Sequence, residues 1–431
     1  MKYFSTKNRN HLVNFRKAVF RSLPPDNGLY FPEFIPDLKS LLSENIREKD
    51  LKDVCAEVMG YFVGEEIDEA ALYEIIRESI DFPLPVKEVK EGIYVLELFH
   101  GPTWAFKDVG ARFLALSMGY FTKKTGEEVT ILVATSGDTG GAVAAGFHKV
   151  PGTRVIILYP KGKVSKVQER QLTTLGHNIT AYEVEGAFDD CQRMVKQAFL
   201  DKDLNRKFNL SSANSINVAR LLPQMFYYFA MYQQLPVKDL LVAVPSGNYG
   251  NLTAGMFAKK LGLPIQKFIA SSNINKIVPE YLRTSRYIPR DSIQTYSNAM
   301  DVGDPSNFVR MEQLYDHDYQ QIVRDVEGFW LDDEKTLEVM RRCYRETGYV
   351  LDPHGAIGYA ACEHLPQSNS GTRVFLETAH PVKFQPVLDK AFDCRVQYDA
   401  KLSGLKGKKE IKHSISTSFD LLKQLLLANS D

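Results

Sequence analysis

Beyond about residue 93 the chain alternates short apolar runs with stretches of helical period. YVLELF leads into HGPTWAFKD, EVTILVAT into SGDTGG, TRVIILYP into KGKVS, and DLLVAVP into SGNYGN. Each run is strand-sized, nearly free of polar residues, and closed by glycine or a polar turn. Strands apolar on both faces belong inside parallel sheets, whose helical crossovers cover both sides. The pattern therefore predicts an open α/β fold with a largely parallel sheet. Nearer the N-terminus, LKDVCAEVMGYF and EAALYEIIRES carry the helical period, preceded by the turn-rich RSLPPDNGLYFPEFIPDL. The chain divides on this reading into a mainly helical region over 1–92, a smaller α/β domain over 93–235, and a larger one over 236–431 that includes the C-terminal segment.

Composition narrows the function classes. The 431 residues are 44% hydrophobic, with 53 basic side chains against 53 acidic ones. No global field favours nucleic acid or an anionic membrane. Cys55, Cys191, Cys343, Cys362 and Cys394 are odd in number and lack CxxC or CxxH spacing, so they are expected to be reduced thiols, without a structural metal. The opening MKYFSTKNRNHLVNF has no apolar core of signal-peptide length, and the longest apolar runs are strand-sized. A cytoplasmic protein with a small-molecule substrate is expected. The lysine-rich KLSGLKGKKEIKH over 401–413 reads as a solvated loop.

The chemistry sits where apolar runs end, because open α/β sheets bind ligands beyond the carboxyl ends of their strands. In Ser246-Gly247-Asn248-Tyr249-Gly250-Asn251, two glycines let backbone N–H groups approach phosphate oxygens at a helix N-terminus. The Walker spacing and GxGxxG are both absent, so this is not a nucleotide loop of either kind. Thr135-Ser136-Gly137-Asp138-Thr139-Gly140-Gly141 offers an anion site in the same setting, or simply a helix capped by Ser136 or Asp138. Asn214-Ser215-Ile216-Asn217-Val218-Ala219-Arg220 gathers several donors and a guanidinium suited to phosphate. Thr378 and His380 stand at the mouth of RVFLETAHP, where His380 reads as a hydrogen-bonded turn residue. Lys107, in AFKD, lies where an aromatic-rich loop becomes a helix. A lysine at the lip of an apolar cleft loses basicity by desolvation and becomes nucleophilic. A nucleophilic lysine near a phosphate cradle suggests a Schiff base with pyridoxal phosphate.

The ordered set HGPTWAFKD, ATSGDTG, ILYPKGKVS, NSANSIN followed by Arg220, VPSGNYGN, SNAMDVGDPSN and ETAHPVKF resembles the threonine synthase family, within the tryptophan-synthase-β-like, fold type II pyridoxal phosphate enzymes. The likeness runs from GLYFP near residue 28 to about residue 386. It implies two open, twisted, mostly parallel sheets flanked by helices, with the cofactor cleft between them. It also implies that Lys107 holds the cofactor as a Schiff base and serves as base and acid. Gly247, Asn248, Tyr249, Gly250 and Asn251 would cradle the cofactor phosphate, and Thr378 would face the pyridine nitrogen. Tyr249 stands where phenylalanine is frequent.

Ser136, Gly137, Asp138 and Thr139 would hold the substrate carboxylate. Several relatives carry asparagine at the position of Asp138; a carboxylate would repel another, so Asp138 is expected to offer its backbone N–H or to contact the cofactor hydroxyl. Asn214, Ser215, Asn217 and Arg220 would grip the substrate phosphate. The implied reaction takes O-phosphohomoserine and water to threonine and phosphate. A phospho-lyase releasing a 2-oxo acid would use the same residues, and a non-catalytic cofactor-binding regulator would keep some of them.

Overall fold

The computed structural model describes residues 1–44, 46–235, 239–365, 371–392, 404 and 407–428. Its strands in chain order are β1 (Lys2–Ser5), β2 (Asn8–Asn14), β3 (Tyr30–Pro32), β4 (Val86–Lys90), β5 (Ile93–Glu97), β6 (Val129–Ala134), β7 (Thr153–Pro160), β8 (Ile179–Val184), β9 (Leu210–Ser211), β10 (Leu240–Pro245), β11 (Ile265–Ser272), β12 (Val326–Trp330), β13 (Arg373–Glu377) and β14 (His413–Ile415). They form three sheets, ordered β2-β1-β3, β12-β11-β10-β13-β5-β4 and β14-β8-β7-β6-β9. In the six-stranded sheet only the β4–β5 pairing is antiparallel, and the five-stranded sheet is parallel throughout. Strands β6 and β10 are buried at every position, as their unbroken apolar runs require.

The N-terminal helices form as predicted, over Leu51–Val63 and Glu69–Ser79, capped by the side chains of Asp50 and Asp68. The antiparallel β2-β1-β3 sheet before them was not foreseen. Its strands are short and β2 is mostly polar, so neither carries an alternating signal. The sheet is tied down by contacts distant in sequence, such as the buried Tyr3 hydroxyl donating to the Phe62 carbonyl at 2.8 Å.

Sheet membership also departs from the division at 93–235 and 236–431. Strand β5, which leads into Lys107, pairs with β13 in the larger sheet, while β14 returns from the C-terminus to the smaller one. An apolar run specifies that a strand is buried, not which strand it pairs with. Nor is the described part of 401–413 all solvated loop. Lys412 Nζ lies 2.5 Å from Glu169 and 2.9 Å from Glu183, two nearly buried carboxylates. Positions 401–403 and 405–406 lie outside the described residues.

Two helices meet at Lys107. Lys107–Thr125 follows β5 and Asp138–Phe147 follows β6. They pack closely because Gly146 has no side chain; a Cβ there would stand 3.1 Å from the Ala111 backbone. Their N-terminal ends, each following a strand of a different sheet, also meet, with Lys107 Nζ 3.6 Å from Asp138 Oδ2.

Candidate active site

Lys107 is the first residue of its helix, and the loop before it is fixed from several sides. The buried Asp108 carboxylate accepts from Thr103 N at 2.9 Å and from the Thr103 hydroxyl. Phe106 N donates to Thr378 O at 2.8 Å, and the Tyr227 hydroxyl donates to Phe106 O. The side chain so aimed is 15% exposed, with Nζ 4.8 Å from the Phe106 ring centre and 3.6 Å from Asp138 Oδ2. Burial holds its basicity below that of an ordinary lysine. The Asp138 charge opposes that effect, and Lys383 and Arg220 reinforce it. Burial also pushes the Asp108 carboxyl up to about 6, against the pull of its Thr103 hydrogen bonds.

In the SGDTG loop the helix cap is not Ser136 or Asp138. Thr135 Oγ1 accepts from Gly137 N at 3.0 Å and Gly140 N at 2.8 Å. Gly137 adopts φ 139°, and a Cβ there would strike the Gln168 side chain at 2.5 Å. Relieved of capping, Ser136 and Thr139 are partly exposed, and their hydroxyls make no hydrogen bond among the described residues. Asp138 is buried and points elsewhere. Its Oδ1 accepts from Gln168 Nε2 at 2.9 Å and lies 2.6 Å from Lys383 Nζ. Burial alone would raise its carboxyl, but Lys383 and Lys107 outweigh that and hold it well below the usual range.

The SGNYGN and NSANSIN loops are braced against each other by Asn307 and Arg310. Asn307 Nδ2 donates to Ser215 Oγ at 3.1 Å and Asn248 O at 3.0 Å. The fully buried Arg310 donates to Tyr30 O, Ser215 O, Ile216 O and Asn307 Oδ1, at 3.1, 3.1, 2.7 and 2.8 Å. Gly247 is required, since a Cβ there would lie 2.4 Å from Ala299 O. Tyr249 takes the left-handed conformation, φ 59°, just before the helix Gly250–Leu261, and its hydroxyl meets Ser272 Oγ at 2.5 Å. Its side chain is thus spent on packing, leaving only its backbone N–H for a ligand.

Asn248 is exposed and accepts from Ser306. Asn251 Oδ1 accepts from the Tyr228 hydroxyl, while its buried Nδ2 has no partner among the described residues.

Arg220 has the same need on a larger scale. It is 4% exposed, and its buried Nε and Nη1 have no hydrogen-bond partner among the described residues. Burial brings its guanidinium down to about 10, so it remains charged near neutrality. Buried polar groups are almost always satisfied, and a buried guanidinium with unpartnered nitrogens, close to Gly110 on the Lys107 helix, calls for an anion. Asn214 and Ser215 are partly exposed beside it in sequence. Asn217 does not fit the sequence reading. Its side chain caps a helix through Ala219 N and donates to Val19 O and Ser212 O, leaving nothing for substrate. Thr378 is buried at the end of β13, its carbonyl engaged with Phe106. His380 is a turn residue, Nδ1 accepting from Val382 N at 3.1 Å.

Sequence reasoning missed Lys383, Asn307 and Arg310. Lys383 lay inside the quoted ETAHPVKF, but nothing local distinguishes it from a surface lysine. Arg310 follows GDPSN on a helix face whose burial depends on distant Tyr30 and Ser215.

Comparison with known proteins agrees along the chain. A family model described as "Pyridoxal-phosphate dependent enzyme" matches residues 79–376, "Threonine synthase N terminus" matches 2–80, and "Threonine synthase, C-terminal" matches 355–426. The chain is 41% identical over 431 residues to threonine synthase of Escherichia coli (strain K12), covering 99% of each. The crystal structure of threonine synthase from Escherichia coli superposes with a TM-score of 0.91 at 40% identity, covering 99% of this chain and 100% of that one. A threonine synthase from Brucella melitensis, solved with bound PLP, gives 0.93 at 34% identity, covering 100% and 99%.

Proposed function

This chain belongs to the threonine synthase family, and from that premise we propose that it converts O-phosphohomoserine and water to threonine and phosphate with Lys107 as its catalytic residue. It is a pyridoxal-phosphate-dependent enzyme with threonine synthase activity. Among the described residues no helix is long and apolar enough to cross a membrane; we assign it to the cytoplasm.

When bound, pyridoxal phosphate supplies an electron sink for negative charge at the amino acid's Cα. Lys107 would hold it covalently through Nζ. Gly247, Asn248, Tyr249, Gly250 and Asn251 would meet its phosphate through backbone N–H groups, aided by the helix N-terminus and the unpaired Asn251 Nδ2, and Thr378 would face the ring nitrogen. The depressed basicity of Lys107 favours the neutral amine, whose electron pair would take a proton from the substrate's Cα and return one later. Ser136, Gly137 and Thr139 would orient the substrate carboxylate at their helix N-terminus. Asn214, Ser215 and Arg220 would bind the γ-phosphate and neutralise the charge it carries away, after which water adds at Cβ.

The observation that carries this reading is Arg220, a buried guanidinium with two nitrogens unpartnered among the described residues. It supports a substrate bearing a phosphate. The test is product analysis of purified protein supplied with pyridoxal phosphate and O-phosphohomoserine. Threonine and phosphate in equal amounts are expected. Either 2-oxobutanoate with phosphate, homoserine with phosphate, or no turnover would overturn the proposal.

A further inference from the structure

The site holds a second lysine. Lys383 is fully buried, on the turn after β13, with Nζ 2.6 Å from Asp138 Oδ1 and donating to Thr103 O at 2.9 Å. The other oxygen of Asp138 faces Lys107 Nζ at 3.6 Å. One carboxylate thus stands between two ammonium-capable groups and sits nearer to the one that has no access to solvent. We propose that Lys383 is a positioning residue whose fixed charge occupies Asp138 and so keeps that carboxylate from holding Lys107 in its protonated form.

The geometry explains how an aspartate is tolerated in a loop reserved for anions. A free carboxylate at Asp138 would pair with Lys107 and stabilise its ammonium form, removing the nucleophile. It would also repel a substrate carboxylate arriving at Ser136 and Thr139. Paired with Lys383, Asp138 presents a nearly neutral unit, and Gln168 Nε2 completes its coordination at 2.9 Å. The remaining charges facing Lys107 are Arg220, which acts in the same direction as Lys383, and the neighbouring Asp108, whose carboxylate is turned to Thr103. Burial is the main cause of the lowered basicity of Lys107, and Lys383 adds to it against the opposing charge of Asp138. Because one buried charge is tolerated only with its partner, the two residues should be replaceable together more readily than singly.

The proposal rests on Lys107 being the reactive amine, and its test reads that amine directly. The full chain without cofactor is labelled with trace acetic anhydride across a pH series, and the extent of modification at Lys107 is read by peptide mass spectrometry. Lys383→Met should move the Lys107 labelling midpoint to higher pH by a unit or more, a tenfold loss of free amine at fixed pH. Asp138→Asn should move it lower, and Asp138→Asn/Lys383→Met should return it close to the unmodified chain. Lys383→Arg, which keeps the charge, should leave it nearly in place.

The same order should appear in the acidic limb of kcat/KM for the cofactor-loaded variants. If Lys383→Met leaves the midpoint unmoved, or the double variant stays as displaced as Lys383→Met, the proposal is wrong. An unmodified chain that makes no threonine would instead indict the functional reading, whatever the labelling shows.

Discussion

Replacing Arg220 by methionine should make the ligand-free protein more stable and the enzyme much worse. Nε and Nη1 are buried and unpartnered, and each unsatisfied buried donor costs about 1–3 kcal/mol. Methionine removes both while keeping most of the aliphatic stem, at a packing loss of about 1–2 kcal/mol. Two donors at that cost total about 2–6 kcal/mol, so the balance is a gain of about 0–5 kcal/mol, centred on about 2.5. At about 2 cal/mol/K of unfolding entropy per residue, each kcal/mol moves the melting midpoint of a chain this long by about 1 °C. A rise of about 2–3 °C, and at most about 5 °C, is therefore expected in the absence of ligand. Loss of a charge-assisted contact to the departing phosphate should cost about 2–4 kcal/mol, roughly 30- to 1000-fold in kcat/KM.

The assay is thermal unfolding with and without inorganic phosphate, beside kinetics on O-phosphohomoserine. Phosphate should raise the midpoint of the unmodified chain by mass action and raise that of the variant less. A variant that melts lower without ligand, gains as much from phosphate and retains its kinetics would place Arg220 among structural residues and refute the reasoning.

Gly247→Ala should weaken pyridoxal phosphate binding at least about tenfold, measured by absorbance titration, because its Cβ would press on the Ala299 carbonyl at 2.4 Å, beside the loop's N–H groups. Arg310→Met should lower stability by about 3–5 kcal/mol and raise KM, since it strips three backbone carbonyls and Asn307 of a buried donor; unchanged denaturant midpoints would remove Arg310 as the brace. For Asp108 the folded carboxyl sits near 6, above its unfolded value. The native state therefore binds the extra proton, and the contribution of Asp108 to stability is lost as pH rises from about 4 to 6. Melting midpoints of the unmodified chain minus those of Asp108→Asn should fall across that window, and a flat difference would contradict the burial argument.

What the sequence revealed follows from what it encodes locally. Lys107, SGDTG, SGNYGN and Arg220 lie at strand-to-helix junctions, and those junctions are written in apolar runs followed by glycine and polar residues. Long-range pairing is not written that way. Strand β5 joins β13, and β14 joins β8, across separations no periodicity reports. The same limit applied to side chains. Asn217 has the right composition for an anion site, but its amide is consumed by Val19 and Ser212, which only the folded N-terminal region brings near. Lys383 and Arg310 show the reverse case, ordinary in sequence and fully buried in the fold.

Two lysines, Lys107 and Lys383, flank Asp138, and they supply the most direct test of the site. Reducing the cofactor-loaded protein with borohydride and locating the phosphopyridoxyl group by peptide mass spectrometry should place it on Lys107. Its recovery on Lys383, with Lys107 unmodified, would contradict the assignment of the catalytic amine and everything derived from its position.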